Sequence, residues 1–146
     1  MGNRAADPSR APDAPTARRA YGVGQRAPRS RLRSWEGRFS IIIGRSEHQI
    51  EFKNRFLDCV FLDGAHDYLS VSRDICHWLP KVRPGGLICG HDYERRSEDC
   101  DPERLVTMSD KDYCAEDGLH YGVIQAVDEL FGGRVGYGGR CWWVSC

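Results

Sequence analysis

Apolar positions show almost no periodicity up to residue 38 and become organised from residue 39 onward. FSIII (39–43), β-branched and aromatic, ends at Gly44 and predicts a buried strand. SEHQIEFKN (46–54) offers one or two helical turns, with Ser46 as N-cap. LDCVFLD (57–63), closed by Gly64, predicts a second strand, and its continuous apolarity suits a strand covered on both faces, as in a parallel sheet. YLSVSRDICHWLPKV (68–82) places Leu69, Ser72, Ile75, Cys76 and Leu79 at helical spacing, then meets Pro80 and Pro84-Gly85-Gly86 as stop signals, which predicts an amphipathic crossover helix. GLICG (86–90) predicts a third strand ending at His91-Asp92-Tyr93. Residues 94–118 are charged without a sustained period and predict a long surface loop. HYGVIQAVDELFG (120–132) carries Val123, Ile124, Val127, Leu130 and Phe131 on one face and predicts a helix capped by Gly132-Gly133. RVGYGGRCWWVSC (134–146) predicts a hairpin around Gly138-Gly139, with at least one of Trp142 and Trp143 in the core.

Alternating strands and helices of this kind build an α/β sheet with right-handed crossovers. At 146 residues, 40% hydrophobic and 29% charged, the chain suits one soluble domain. No apolar run approaches the roughly 20 residues that cross a bilayer, and no secretory signal opens the sequence, so a cytoplasmic protein without a membrane partner is expected. The formal charge of zero hides a division: residues 1–38 carry nine Arg against three acids (Asp7, Asp13, Glu36), a net +6, which leaves −6 for residues 39–146. With four of the seven prolines and seven alanines, residues 1–38 predict a disordered basic tail, and 39–146 the folded domain. The Arg-rich tail raises nucleic acid as a partner, but its early Asp residues and dense prolines argue against it. Ala6 stands where an N-myristoylation signal has Ser or Thr. Seven cysteines without a Cys-x-x-Cys pair predict reduced thiols rather than a disulfide framework.

In an open α/β sheet ligands bind at the carboxyl ends of the strands. Two strand ends here are rich in polar groups: Asp63-Gly64-Ala65-His66-Asp67-Tyr68 after the second strand and His91-Asp92-Tyr93 after the third. If those strands are neighbours, Asp63 and Asp92 come within reach of one ligand, and with His66 and His91 they could bind a divalent cation or supply a general base. The plainer alternative is turn and capping chemistry, since Asp-Gly is a common turn and an Asp after a strand often caps a helix. His48, His77 and His120 lack such a placement and read as ordinary surface or helix residues.

The stretch 57–93 resembles the second half of a class I S-adenosylmethionine-dependent methyltransferase of the small-molecule group. The resemblance is carried by Asp63-Gly64-x-His66-x-Tyr68, then Asp74, Trp78 and Pro80, then Pro84-Gly85-Gly86 and His91-Asp92-Tyr93, and extends over about 39–146. It implies a Rossmann-like fold, incomplete on its N-terminal side, with a C-terminal antiparallel hairpin. It further implies methyl transfer from S-adenosylmethionine to a small-molecule acceptor, with Asp63, His66 and Asp92 as catalytic residues and Ser46, Asp63 and Gly64 at the cofactor. In metal-using relatives the ligands come from the ends of the fourth and fifth strands, here Asp63, His91 and Asp92, for Mg2+ or another divalent ion; His91 replaces the carboxylate or amide usual there.

Upstream the family's pattern fails: before residue 39 there is no Gly-rich turn after an apolar strand, and Tyr21-Gly22-Val23-Gly24 lacks that context. The expectation is therefore a truncated domain of marginal stability. Its FSIII strand would be cut off from the sheet, and the bare edge at LDCVFLD would invite self-association. The rivals are a catalytically inactive remnant serving as a binding module, a different nucleotide-binding enzyme such as a dehydrogenase, and a nucleic-acid binder acting through the tail.

Overall fold

A computed structural model describes the backbone of two strands, β1 (Ala20–Val23) and β2 (Phe39–Ile42), and all of residues 52–146. The chain divides into two compact units, Met1–Gln49 and Ile50–Cys146, whereas the change of composition lies at residue 38. In the first unit β1 and β2 pair in parallel, Ala20 opposite Phe39 and Val23 opposite Ile42. A strand, Ala20–Val23, lies inside the segment read as a disordered tail; FSIII pairs with it and has no place in the four-stranded sheet described next. Gly22 is inside that strand rather than in a turn after one. Ser46 and most of the helical turn expected at 46–54 lie outside the described residues.

The second unit holds β3 (Leu57–Leu62), α1 (Tyr68–Trp78), β4 (Val82–Gly90), α2 (Pro102–Met108), α3 (Tyr121–Phe131), β5 (Gly136–Gly138) and β6 (Cys141–Ser145). Its sheet runs in the order β3-β4-β6-β5, parallel between β3 and β4 and antiparallel through the C-terminal hairpin. The fold is thus α/β, as the alternation of strands and helices predicts, and Rossmann-like and incomplete, as the resemblance implies. The Asp67 side chain caps α1 by accepting from the Ser70 N–H at 3.0 Å, a contact worth about 1 kcal/mol. Pro80 sits in the 3-10 turn that ends the helix. β4 starts earlier than expected, because Pro84-Gly85-Gly86 is taken into the strand as a register shift against β3 rather than ending it. The hairpin turn has positive φ at both central residues, 59° at Gly139 and 66° at Arg140, the twist that two-residue hairpins favour.

The core lies on one side of the sheet. Val60, Ile88 and Val144 stand opposite one another across β3, β4 and β6, with Trp142 beside them. Val71, Ile75 and Trp78 of α1 and Ile124, Val127 and Phe131 of α3 cover them. On the other face Phe61 and Trp143 flank Cys89 and are 55% and 42% exposed. Among the described residues the sheet is therefore covered on one face, not on both, as the apolar run 57–63 had suggested. On the open face Cys59 and Cys89 lie with sulfurs 3.9 Å apart; burial, with the Cys59 thiol beside it, pushes the Cys89 thiol up to about 12.

The segment 94–118 is not one loop. Asp101 accepts from the Arg104 N–H at 2.9 Å and Pro102 occupies the first turn, so α2 forms inside it. The segment is tied down at both ends. Asp128 on α3 accepts from the Tyr93 hydroxyl at 2.6 Å and from the Ser97 N–H at 2.6 Å. Asp117 accepts from the Tyr121 hydroxyl at 2.7 Å and from Arg104 at 3.0 Å. Burial raises the Asp117 carboxyl, but the hydrogen bonds from Tyr121, Cys114, Leu119 and Arg104 outweigh it and hold its pKa at about 2, below the ordinary 3.8. A folded pKa below the unfolded one means that the stabilisation is complete above about pH 4 and fades as pH falls towards 2. Asp117→Asn is expected to lower the denaturation midpoint at pH 7 and to converge on the unsubstituted chain near pH 2, as read by urea titrations at both pH values. Equal midpoints at pH 7 would remove this role.

Candidate functional site

Leu62 and Gly90 end β3 and β4 side by side, so the residues that follow them emerge together. Asp63 and His66 come from the β3 end, His91 and Asp92 from the β4 end, and Asp63, Gly64, His66, Asp74 and His91 line a pocket there. Asp92 has φ 61°, an uncommon conformation for a residue other than glycine, and its side chain is 10% exposed. The backbone turns sharply there and aims the carboxylate inward.

His66 is the hub. Asp112, from the segment after α2, accepts from the His66 backbone N–H at 3.1 Å and meets Nδ1 at 2.8 Å with the same oxygen, Oδ1. Burial pushes the Asp112 carboxyl up, but its side-chain and backbone hydrogen bonds with His66 outweigh that and hold it below the ordinary value. Nε2 of His66 lies 3.0 Å from Asp92 Oδ2 and 4.0 Å from Asp63 Oδ1. It is buried, and no group among the described residues is aligned to hydrogen-bond with it. The other oxygen of Asp92 is occupied, with Arg140 Nη2 at 2.8 Å and His91 Nδ1 at 2.9 Å. Arg140 also reaches Glu94 Oε1 at 2.9 Å, and that oxygen meets Nδ1 of His120 at 2.8 Å. The His120 ring packs edge-on against the His66 ring, centroids 4.9 Å apart.

The structure thus brings together Asp63, His66, His91 and Asp92, the residues singled out at the two strand ends. His120 corrects the sequence reading: it is 7% exposed and sits at the centre of the cluster, just before α3. Glu94, Asp112 and Arg140 were not anticipated. Gly122, also missed, lets α3 approach the loop that carries His66. A Cβ there would collide with the His66 carbonyl and lie 2.5 Å from the Tyr68 nitrogen and 2.6 Å from the Ser109 carbonyl.

The cluster joins carboxylates to imidazole, with Nδ1 of His66 and Nδ1 of His120 each held by a carboxylate. Such an array can accept a proton or a cation at His66 Nε2. No helix among the described residues is long and apolar enough to cross a membrane.

Comparison with known sequences adds the family. No curated protein and no solved structure matches the chain. The family model described as "Methyltransferase domain" matches residues 5–93. That span contains the two motif-bearing strand ends. It also includes residues 5–38, which the sequence reading had set outside the resemblance, and it stops short of residues 94–146, which that reading had included. With more than half of its residues matched, the chain belongs to the methyltransferase domain family.

Proposed function

We propose that the chain is an S-adenosylmethionine-dependent methyltransferase acting on a small-molecule acceptor at the ends of β3 and β4. The observation that carries this reading is His66, clamped on Nδ1 by Asp112 and presenting an unsatisfied, buried Nε2 beside Asp63 and Asp92 in a chain of this family. Gly64 and Asp63, on the pocket wall, are proposed to touch the cofactor. The carboxylates at the pocket suit a positively charged cofactor. Bound S-adenosylmethionine supplies an electrophilic methyl carbon on a cationic sulfur. His66 Nε2 takes the proton of the acceptor hydroxyl, and Asp112 holds the opposite N–H so that the lone pair stays on Nε2. Asp92, buried and 3.0 Å away, stabilises the imidazolium that forms.

Mg2+ fits the residues less well. The set Asp63, His91 and Asp92 has ligand atoms within 4.8 Å of one another, but one Asp92 oxygen already accepts from Arg140, and a hard ion prefers oxygen to imidazole. No step above passes through it.

Calorimetric titration of the folded chain with S-adenosylmethionine tests the reading. Binding in the micromolar range, near −8 kcal/mol, weakened at least tenfold by Asp63→Ala, is expected. A folded chain that binds neither the cofactor nor its demethylated product would sink it and leave a non-enzymatic binding module.

A further inference from the structure

We propose that His66, Asp92 and His120 form a binding site for a borderline transition-metal ion of the Zn2+ type, sharing only Asp92 with the Asp63, His91 and Asp92 set. One ring nitrogen of each histidine and one oxygen of Asp92 lie within 4.8 Å of one another, an opening that small side-chain rotations close onto an ion with bonds of about 2.0–2.2 Å. Two imidazoles and one carboxylate are the donors such ions prefer, and three protein ligands leave a fourth position open.

Three further observations point the same way. His66 Nε2 is buried and makes no aligned hydrogen bond with any described group, so its lone pair has no competing occupant. Asp112 grips Nδ1 of His66 and Glu94 meets Nδ1 of His120, each at 2.8 Å; that His120 nitrogen also lies 3.8 Å from Asp92 Oδ1 and 3.4 Å from Arg140 Nη2. Outer-sphere carboxylates of this kind orient metal-binding imidazoles and raise their basicity. Arg140 and His91 hold Oδ1 of Asp92, which leaves Oδ2 facing His66. The charges also balance: Asp92, Glu94 and Asp112 against Arg140 leave two negative charges for a divalent ion to neutralise.

The inference does not rest on methyl transfer, but it bears on it. An ion on Nε2 takes the lone pair that the proposed base would use, so metal loading and catalysis by His66 compete.

The test uses the full chain, without S-adenosylmethionine, titrated with ZnCl2 and, in parallel, with CoCl2 as a spectroscopic probe. One equivalent of Zn2+ should bind, with Co2+ giving ligand-field bands of nitrogen and oxygen ligation and no thiolate charge-transfer band. His120→Gln should weaken Zn2+ at least 100-fold, and Glu94→Gln about 10–100-fold. Asp63→Asn should leave the affinity within threefold. His66→Gln serves as a second ligand variant should His120→Gln unfold, which circular dichroism shows. Absence of binding by the folded chain, a thiolate band, retention of affinity in both histidine variants, or loss in Asp63→Asn would each overturn the assignment. None of these outcomes depends on whether the chain binds S-adenosylmethionine.

Discussion

His66→Gln is expected to lower kcat for methyl transfer by about 10²–10⁴-fold, the range lost when a positioned general base is removed. The amide keeps a polar group in the loop and can still meet Asp112, but it offers no basic lone pair towards Asp92. Affinity for S-adenosylmethionine should stay within a few-fold, because the proposed cofactor contacts are Asp63 and Gly64. The measurement is steady-state kinetics with a hydroxylated acceptor at a fixed pH, beside a titration of each chain with S-adenosylmethionine. A variant with undiminished kcat would exclude His66 as the base.

Gly122→Ala should damage both stability and site, and the sign of the first effect is informative. Ala is a better helix former than Gly, by about 0.8–1 kcal/mol in a helix interior, so at this first-turn position propensity alone predicts a slightly more stable chain. The Cβ, however, has no room: it would meet the backbone of His66, Tyr68 and Ser109, none of which is the yielding tip of a side chain. Overpacking of that kind costs about 1–3 kcal/mol. The net expectation is a lower melting temperature, by several degrees per kcal/mol in a unit of this size. It should be accompanied by loss of Zn2+ affinity, as the His66 loop is pushed from α3. Gly133→Ala is the matched control, since a Cβ there meets nothing within 4 Å. Thermal melts of the two variants should diverge, and a Gly122→Ala chain that melts at or above the unsubstituted one would show that the loop yields freely.

Half of the cluster could be read from the sequence because strand ends are local features. An apolar run followed by Asp63 or by His91-Asp92 marks polar groups at the carboxyl edge of a sheet whatever the rest of the chain does. The other half depends on encounters that no local pattern encodes. Asp112 lies 46 residues from His66 and Arg140 lies 48 from Asp92. His120 looked ordinary because its ring faces a histidine that arrives from another element. α2 is a different failure: Asp101-Pro102 is a legible helix start, lost among the charges around it. The one-sided burial of β3 was hidden as well, because a continuous apolar run reads the same whether one face is covered or two. In β4, Pro84-Gly85-Gly86 reads as a stop, and only the paired strand shows it absorbed as a register shift.

The order of strands in the sheet bears on how the chain folds. β6 is the last element in sequence, yet it sits between β4 and β5, and Cys146 closes the ladder by exchanging hydrogen bonds with Gly85 and Gly86. Until those final residues are in hand, β4 has an unsatisfied inner edge and β5 has no neighbour. Arg140, which steadies Asp92, also belongs to the turn that β6 completes. During synthesis the helices and the β3–β4 pair can form early, but the sheet cannot close and the charged cluster cannot assemble until residues 141–146 have been made. A ribosome-stalled chain lacking residues 141–146 would therefore carry most of the sequence of this unit and none of its completed site.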